Sequence, residues 1–392
     1  MVANVLLTND IILKTALMEY DNNLVLAKTA RRDYEDKFSP TTGESIRIRK
    51  PTRYVARVGR VAQPQAISER YTNITVGDMV GVDMEVTSQQ FALQLDDFNR
   101  EVIQPAMVTL ANKIDQLLYN TTTDFYYFAG TAGTAPNSFA VANQCGSVLN
   151  SIGVPESDRF MLLKSFDAGT LQSALYNTFN ENFNKDIIMR GSMGNLAGFD
   201  VYAVQNAIRP SRGSASLGTT LVKGAGQSGA TLIVDGFSAS TSLKAGALFT
   251  IAGVNSVNPT SREDTGQLAQ FTVAADADVD TGQMTLTISP PIVLTGPYQN
   301  VTALPADNAA VTFQATHTKN IFYHREAFAF CSIKLPESPG AVFQKNMVNK
   351  KSKAMLRMTR SYQVIEDVEI IRFDVLPAVK CFAEYGGVLM GS

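Results

Sequence analysis

A chain that held a metal or ran acid–base catalysis would need histidines, cysteines or carboxylates gathered at short spacing. The two histidines, His317 and His324, are seven residues apart. On one strand they would face opposite sides, a poor arrangement for joint ligation. Neither lies near a G-x-S-x-G turn or a cysteine placed as a nucleophile. Cys145, Cys331 and Cys381 are widely separated with no C-x-x-C spacing, so neither a disulfide framework nor a zinc site is expected, and a reducing compartment suits them. Asp276-Ala-Asp278-Val-Asp280 opens like a calcium loop, but Thr281 and Thr287 occupy the positions where that pattern needs Gly and Glu. A solvated turn is expected there. Gly224, Gly226 and Gly229 fit G-x-G-x-x-G, yet a dinucleotide site needs a helix to follow, and Ala230-Thr-Leu-Ile-Val234 reads as a strand. A phosphate-binding G-x-x-x-x-G-K-[ST] is absent, and Asn73, Asn120 and Asn300 match the N-glycosylation pattern by chance. The expectation is a non-enzyme with no catalytic residue, no cofactor and no metal.

Bulk composition agrees with a structural role. The 392 residues suffice for two or three domains, and 45% hydrophobic against 18% charged residues argues against global disorder. A net charge of -2 lacks the basic excess of a dedicated nucleic-acid binder. The N-terminus has no basic n-region, so it does not read as a secretory signal, and no run approaches the ~18 apolar residues of a membrane span.

Stepping along the chain, residues 1–43 read as a helical arm. Thr8, Asn9 or Asp10 can cap a helix that puts Leu13, Ala16, Leu17 and Tyr20 on one face. From Glu44 to Gln90 the charge is split. Residues 40–70 carry seven basic side chains, Arg47, Arg49, Lys50, Arg53, Arg57, Arg60 and Arg70, against Glu44 and Glu69. Residues 71–101 carry six acids, Asp78, Asp83, Glu85, Asp96, Asp97 and Glu101, against Arg100 alone. Ser45-Ile-Arg-Ile-Arg49 alternates as a half-solvated strand, and Val-rich segments follow at Val55 to Val61 and Thr75 to Val86. Two readings stay open: two solvated strands of one hairpin, or an extended loop whose basic strand meets acidic surface on a neighbouring copy, where charge sets register more than affinity.

Asp96 and Asp97 then suit a helix N-terminus. Phe98, Val102, Ala106, Leu110, Ile114 and Leu117 form one apolar stripe of a helix running to Tyr119, roughly 35 Å long at ~1.5 Å per residue. Pro105 should bend it or mark its true start. Ser165-Phe-Asp167 opens another helix, and Asn195 to Tyr202 reads as a turn into a strand. Between Gly213 and Thr316 short β runs separated by turn residues indicate a small sandwich or barrel inserted into another domain. After the aromatic strand Ile321 to Phe330 comes a basic run, Lys345, Lys350, Lys351, Lys353, Arg357 and Arg360, without an acid between Ser338 and Ile365. It is either a solvated loop or helix face, or a surface for packaged DNA or an acidic partner.

This order of parts, with Glu85-Val-Thr-Ser-Gln-Gln-Phe-Ala-Leu-Gln-Leu-Asp-Asp-Phe98 running into Pro105-Ala106 and Leu110-Ala-Asn-Lys-Ile-Asp115, resembles tailed-phage major capsid proteins. More narrowly it is similar to the coat proteins of lambdoid short-tailed phages, which carry an inserted β-barrel. Gly198-Phe-Asp-Val-Tyr202, His324-Arg-Glu-Ala-Phe-Ala-Phe330 and Arg372-Phe-Asp-Val-Leu376 resemble the family's strands before and after the insertion and its closing strand. The resemblance implies an α+β fold of the Hong Kong phage type. Its parts would be an N-terminal arm (1–43), an extended E-loop (44–95), a spine helix and peripheral domain (96–135), an axial domain in two pieces (136–212 and 317–365), an inserted β-barrel (213–316) and C-terminal return strands (366–392). It also implies self-assembly of hexamers and pentamers into an icosahedral head, made in the bacterial cytoplasm with a scaffolding protein and a portal. That head would enclose double-stranded DNA without reading its sequence or touching a membrane. Covalent Lys–Asn crosslinking finds no support, since Lys50 is the only lysine of the loop. Another phage structural protein, a tail-tube or decoration subunit, would explain the β-rich insertion but not the spine helix.

Overall fold

The computed structural model describes residues 9–38, 43–57, 59–62, 64–67, 69–87, 99–176, 193–214, 220–237, 241–280, 282–336, 342–350, 352–364 and 368–392. The chain divides into two compact units, one of Met1–Ile48, Tyr71–Tyr119 and Phe328–Lys380, the other of Arg49–Arg70, Asn120–Ala327 and Cys381–Ser392.

In the first unit the helix Asn9–Asn23 buries Ile12, Leu13, Ala16, Leu17 and Tyr20, the stripe expected from steps of three and four. A short helix, Leu26–Thr29, follows, and N–H groups at its start, which have no partner within the helix, find a carboxylate on another element: Val25 and Ala27 donate to Asp115 at 2.8 and 3.0 Å. Asp115 sits on the long helix Gln104–Asn120 and is buried. That helix starts where Pro105 permits, because proline lacks an N–H and fits a helix only at its first turn. The residues before it, Asn99–Ile103, form a π-turn. The expected N-cap acids Asp96 and Asp97 lie outside the described residues.

The sheet of this unit is built on the long strand Val368–Cys381. Met355–Gln363 pairs with it antiparallel, and Phe343–Val348 pairs with Met355–Gln363. Phe328–Ile333 also joins it. So does Val80–Thr87, with Asp83 opposite Arg372 and Val82 opposite Phe373. The basic run at 345–360 is therefore a β-hairpin, not a loop or a helix face.

In the second unit a six-stranded sheet runs in the order Tyr127–Ala129, Gly386–Met390, Lys319–His324, Arg159–Lys164, Phe199–Val204, Asn195–Leu196. Helices Phe139–Ile152 and Ser165–Tyr176 bury Cys145, Leu149, Leu171 and Leu175 in one core with Phe199, Phe322 and Leu389. His324 ends a sheet strand and His317 precedes it, so the two do not share an element.

The same unit contains a second six-stranded sheet, Val311–Phe313, Leu248–Val257, Asp264–Val273, Gln283–Ile292, Gly229–Asp235, Leu221–Val222. Its two edges meet. Val222 donates to the Ala309 carbonyl and Val311 to the Thr220 carbonyl, both at 2.9 Å, and Leu221 bridges Ala310. The sheet is a closed barrel, a solution that removes free edges. Alternate residues fill it, among them Leu232, Val234, Phe249, Ile251, Phe271, Val273, Leu286 and Ile288. The chain enters and leaves close together: the Lys319 backbone N–H donates to the Ile208 carbonyl at 2.9 Å, the geometry that tolerates an inserted module.

Candidate inter-subunit surface

The charge-split segment divides in two in the structure, and its halves do different things. Ser45–Lys50 and Arg70–Thr75 form a two-stranded sheet of their own, and Ile46 and Ile48 are buried while Arg47 and Arg49 are exposed. The acidic half does not face this basic strand. Its Val80, Val82, Met84 and Val86 alternate with period two, so Val80–Thr87 has one apolar face to bury, and it takes a place in the large sheet of the first unit. The reading of basic and acidic stretches as two strands of one hairpin is corrected accordingly. The Val-rich stretch from Val55 to Val61 has no strand among its described residues and belongs to the excursion between the hairpin strands.

Along the hairpin the cations sort by what they touch. Arg47 stacks over the Tyr71 ring at 3.9 Å. Arg49 and Glu69 pair across the strands at 3.5 Å, both exposed, an arrangement worth little by itself. Lys50 of one strand and Arg70 of the other share the Glu384 carboxylate, at 3.0 and 3.8 Å. Arg70 also lies over the Tyr298 ring at 4.8 Å, and Arg262 of the barrel donates to the Tyr54 carbonyl at 3.0 Å. These contacts hold Arg49–Arg70 to the rest of its own unit. Glu384, Arg262 and Tyr298 escape a reading of the sequence, because each meets the loop only through the tertiary fold.

Two candidates remain outward. Among the described residues Arg57 is exposed and bonds only the Gly59 carbonyl two residues on, and Arg60 is exposed without a partner. Around them stand apolar side chains that water should disfavour: Tyr54, Val55, Val61 at 79% exposure and Ile67 at 69%. A basic patch interleaved with exposed apolar groups is the make-up of a contact surface, with hydrophobic area for affinity and charge for register. Arg53, by contrast, lines a cavity.

The other candidates are placed as follows. Asp83 lies 3.5 Å from Arg372, and Asp78, Glu85 and Glu101 are exposed. Of the basic run, Lys345 pairs with Asp10 at 2.9 Å, Arg357 with Asp374 at 2.6 Å, and Arg360 with Glu369 and, at 2.7 Å, with Asn9. The acids that neutralise this run thus come from the arm and from the long strand. Lys350 is exposed, Lys353 holds the hairpin turn in a left-handed conformation (φ 54°), and Lys351 lies outside the described residues.

The remaining chemistry-bearing groups are structural. Cys145, Cys331 and Cys381 are buried free thiols, and burial pushes the Cys331 thiol up to about 12 and Cys145 upward as well, far from a reactive thiolate. Burial lowers His317 and His324 below the usual histidine range. Asp276, at the start of the calcium-like stretch, pairs with Lys244 at 2.7 Å and accepts the Ala245 N–H, and these bonds hold its carboxyl below the usual range. Among the described residues no cluster of three or more His, Cys, Asp or Glu could hold a metal, and no helix is long and apolar enough to cross a membrane.

A family model described as "P22 coat protein - gene protein 5" matches residues 1–391. No curated protein matches the chain. Among solved structures, "Mycobacterium phage Che8" is similar at 12% identity, with 93% of this chain and 90% of that chain covered and a TM-score of 0.46. "Capsid of Ralstonia phage GP4" is similar at 7% identity, covering 93% and 87%, with a TM-score of 0.46. "CUS-3 coat protein I-domain" is similar at 34% identity over 25% of this chain and 96% of that one, with a TM-score of 0.20.

Proposed function

The chain belongs to the P22 coat protein family and is a major capsid protein of a tailed phage, and from that premise we propose that its basic hairpin is the element with which one subunit grips the next. The observation that carries this is the sorting of cations. Lys50 and Arg70 are neutralised within the subunit, whereas Arg57 and Arg60, with Val61 and Ile67 beside them, are left facing water. An acidic surface on a neighbouring copy would satisfy both the charges and the apolar area. Exposed Asp78, Glu85 and Glu101 supply such a surface on the same chain type.

Repeated around closed rings, one heterologous contact of this kind builds hexamers and pentamers, and these an icosahedral shell. The subunit's role in the virion is structural and non-catalytic. A scaffolding protein and a portal complete the assembly, and the shell encloses double-stranded DNA that it does not read, in keeping with a net charge of -2. The test is Arg57→Glu with Arg60→Glu, followed by negative-stain electron microscopy of assembly reactions. The variant should give soluble subunits with wild-type circular dichroism and few or no shells. Shells in wild-type yield from that variant would refute the grip.

A further inference from the structure

One cation of the hairpin is neither neutralised within the subunit nor outward. Arg53 is partly buried and lines a cavity of about 380 Å³, within the size range of small-ligand sites. Ring-bearing side chains form much of its wall, beside polar Ser256, Thr295, Gln299 and Asn300. Tyr126 and Tyr127 come from the edge of the six-stranded sheet, and Tyr298, Pro290 and Pro291 from the barrel. Such flat faces favour a planar apolar body.

The charges around the cavity do not balance. Its carboxylate, Glu384, already faces Lys50 and Arg70 at 3.0 and 3.8 Å. The phenols cannot supply a negative charge: burial pushes Tyr127 up to about 12 and Tyr126 well above its ordinary value, so both keep their protons at neutral pH. Gln270 is consumed as well, since its amide donates to and accepts from the Phe128 backbone at 2.9 Å each way. Among the described residues Arg53 has no hydrogen-bond or ion-pair partner. A half-buried guanidinium with no counter-charge, at the wall of a ring-lined cavity, lacks an anion.

We propose that this cavity binds a small organic carboxylate with a flat apolar body, the carboxylate on the Arg53 guanidinium and the ring among the tyrosine and proline rings. Guanidinium and carboxylate match as a two-pronged hydrogen-bonded pair. The consequence is mechanical. Arg53 belongs to the hairpin and Tyr298 and Pro290 to the barrel, so an occupant would tie the two together within the unit and steady the base of the gripping hairpin.

The test is calorimetric titration and saturation-transfer NMR on the purified full chain, with benzoate as the probe and benzyl alcohol as its uncharged counterpart. Benzoate should bind saturably. Benzyl alcohol should bind about tenfold more weakly or worse, and Arg53→Met should weaken benzoate by about tenfold or more, the loss expected for one charge-assisted pair. Arg53→Lys, which keeps the charge and loses the fork, should fall between, and it carries the test if the methionine variant fails to fold by circular dichroism. Absence of saturable benzoate binding to the wild-type chain up to about 10 mM, equal affinity for the two probes, or undiminished binding to folded Arg53→Met would each overturn the assignment.

Discussion

Asp115 is where the N-terminal arm is fastened to its unit, and replacing it with alanine has a cost that can be worked out. The carboxylate accepts the Val25 and Ala27 N–H groups at 2.8 and 3.0 Å, and it is buried with Arg32 nearby. Alanine strands one buried and one partly buried donor at up to about 1–3 kcal/mol each and removes a counter-charge from the buried Arg32 guanidinium, which itself donates to the Ala27 carbonyl at 3.2 and 3.0 Å. Against this stands relief of the carboxylate's own burial, which raises its pKa despite those bonds. The net expectation is a loss of about 3–4 kcal/mol, the range for breaking a buried charged contact from one side. Asp115→Asn keeps an oxygen acceptor but turns an amide donor toward one N–H, and should cost about half as much. Because the carboxyl is raised, the folded state takes up its proton more readily than the unfolded state. This group's contribution therefore rises as pH falls through the raised value toward 3.8, so mild acid should not release the arm through Asp115. Urea unfolding of the dissociated subunit gives the stability, and hydrogen exchange over Asn9–Thr29 locates the change. An alanine variant within about 0.5 kcal/mol of wild type, with arm amides still protected, would refute this reasoning.

Further outcomes follow from other buried charges. Lys319 is fully buried with its ammonium unpartnered among the described residues, and burial lowers it from 10.5 to about 8. Below about 8 both folded and unfolded chains carry the proton and the native state bears the burial cost. Between about 8 and 10.5 only the unfolded chain keeps it, so stability should rise with pH across that window. Lys319→Met should stabilise the subunit by roughly 2–3 kcal/mol at pH 7 and flatten that rise, as read from urea midpoints at pH 7 and 10. Arg357→Met should destabilise by about 2–4 kcal/mol in the same assay, because the Asp374 carboxylate that it holds at 2.6 Å is fully buried and would keep only Arg372 as a cation among the described residues. In Gly391→Ala the new methyl would lie 2.0 Å from the Asp167 carboxylate and 2.5 Å from the Asn320 amide, and thermal unfolding should register a loss of about 1–3 kcal/mol.

What the sequence revealed and what it hid divide along range of interaction. The arm helix was legible because its apolar residues recur at helical spacing within fifteen residues, whereas Pro105 allowed either a bend or the start of the long helix, and the helix starts there. The barrel's strands were equally legible, whereas its closure rests on Leu221 meeting Ala310, two positions with no distinctive pattern. The destination of Val80–Thr87 was hidden, since its alternation fixes a buried face but does not name Val368–Val375 as the partner. The basic residues from Lys345 to Arg360 looked unneutralised for the same reason: Asp10, Glu369 and Asp374 reach them only through the folded sheet. The inward turn of Arg53 and the outward stance of Arg57 and Arg60 likewise had no signature in a run of similar basic residues.

The measurement closest to the central claim is electron cryo-microscopy of particles assembled from this chain expressed in bacteria. Closed icosahedral shells in which Arg57 and Arg60 of each subunit lie within ion-pair distance of carboxylates on an adjacent copy are the predicted result. Tubes, unassembled subunits, or shells whose hairpins face solvent with those arginines unpaired would contradict it.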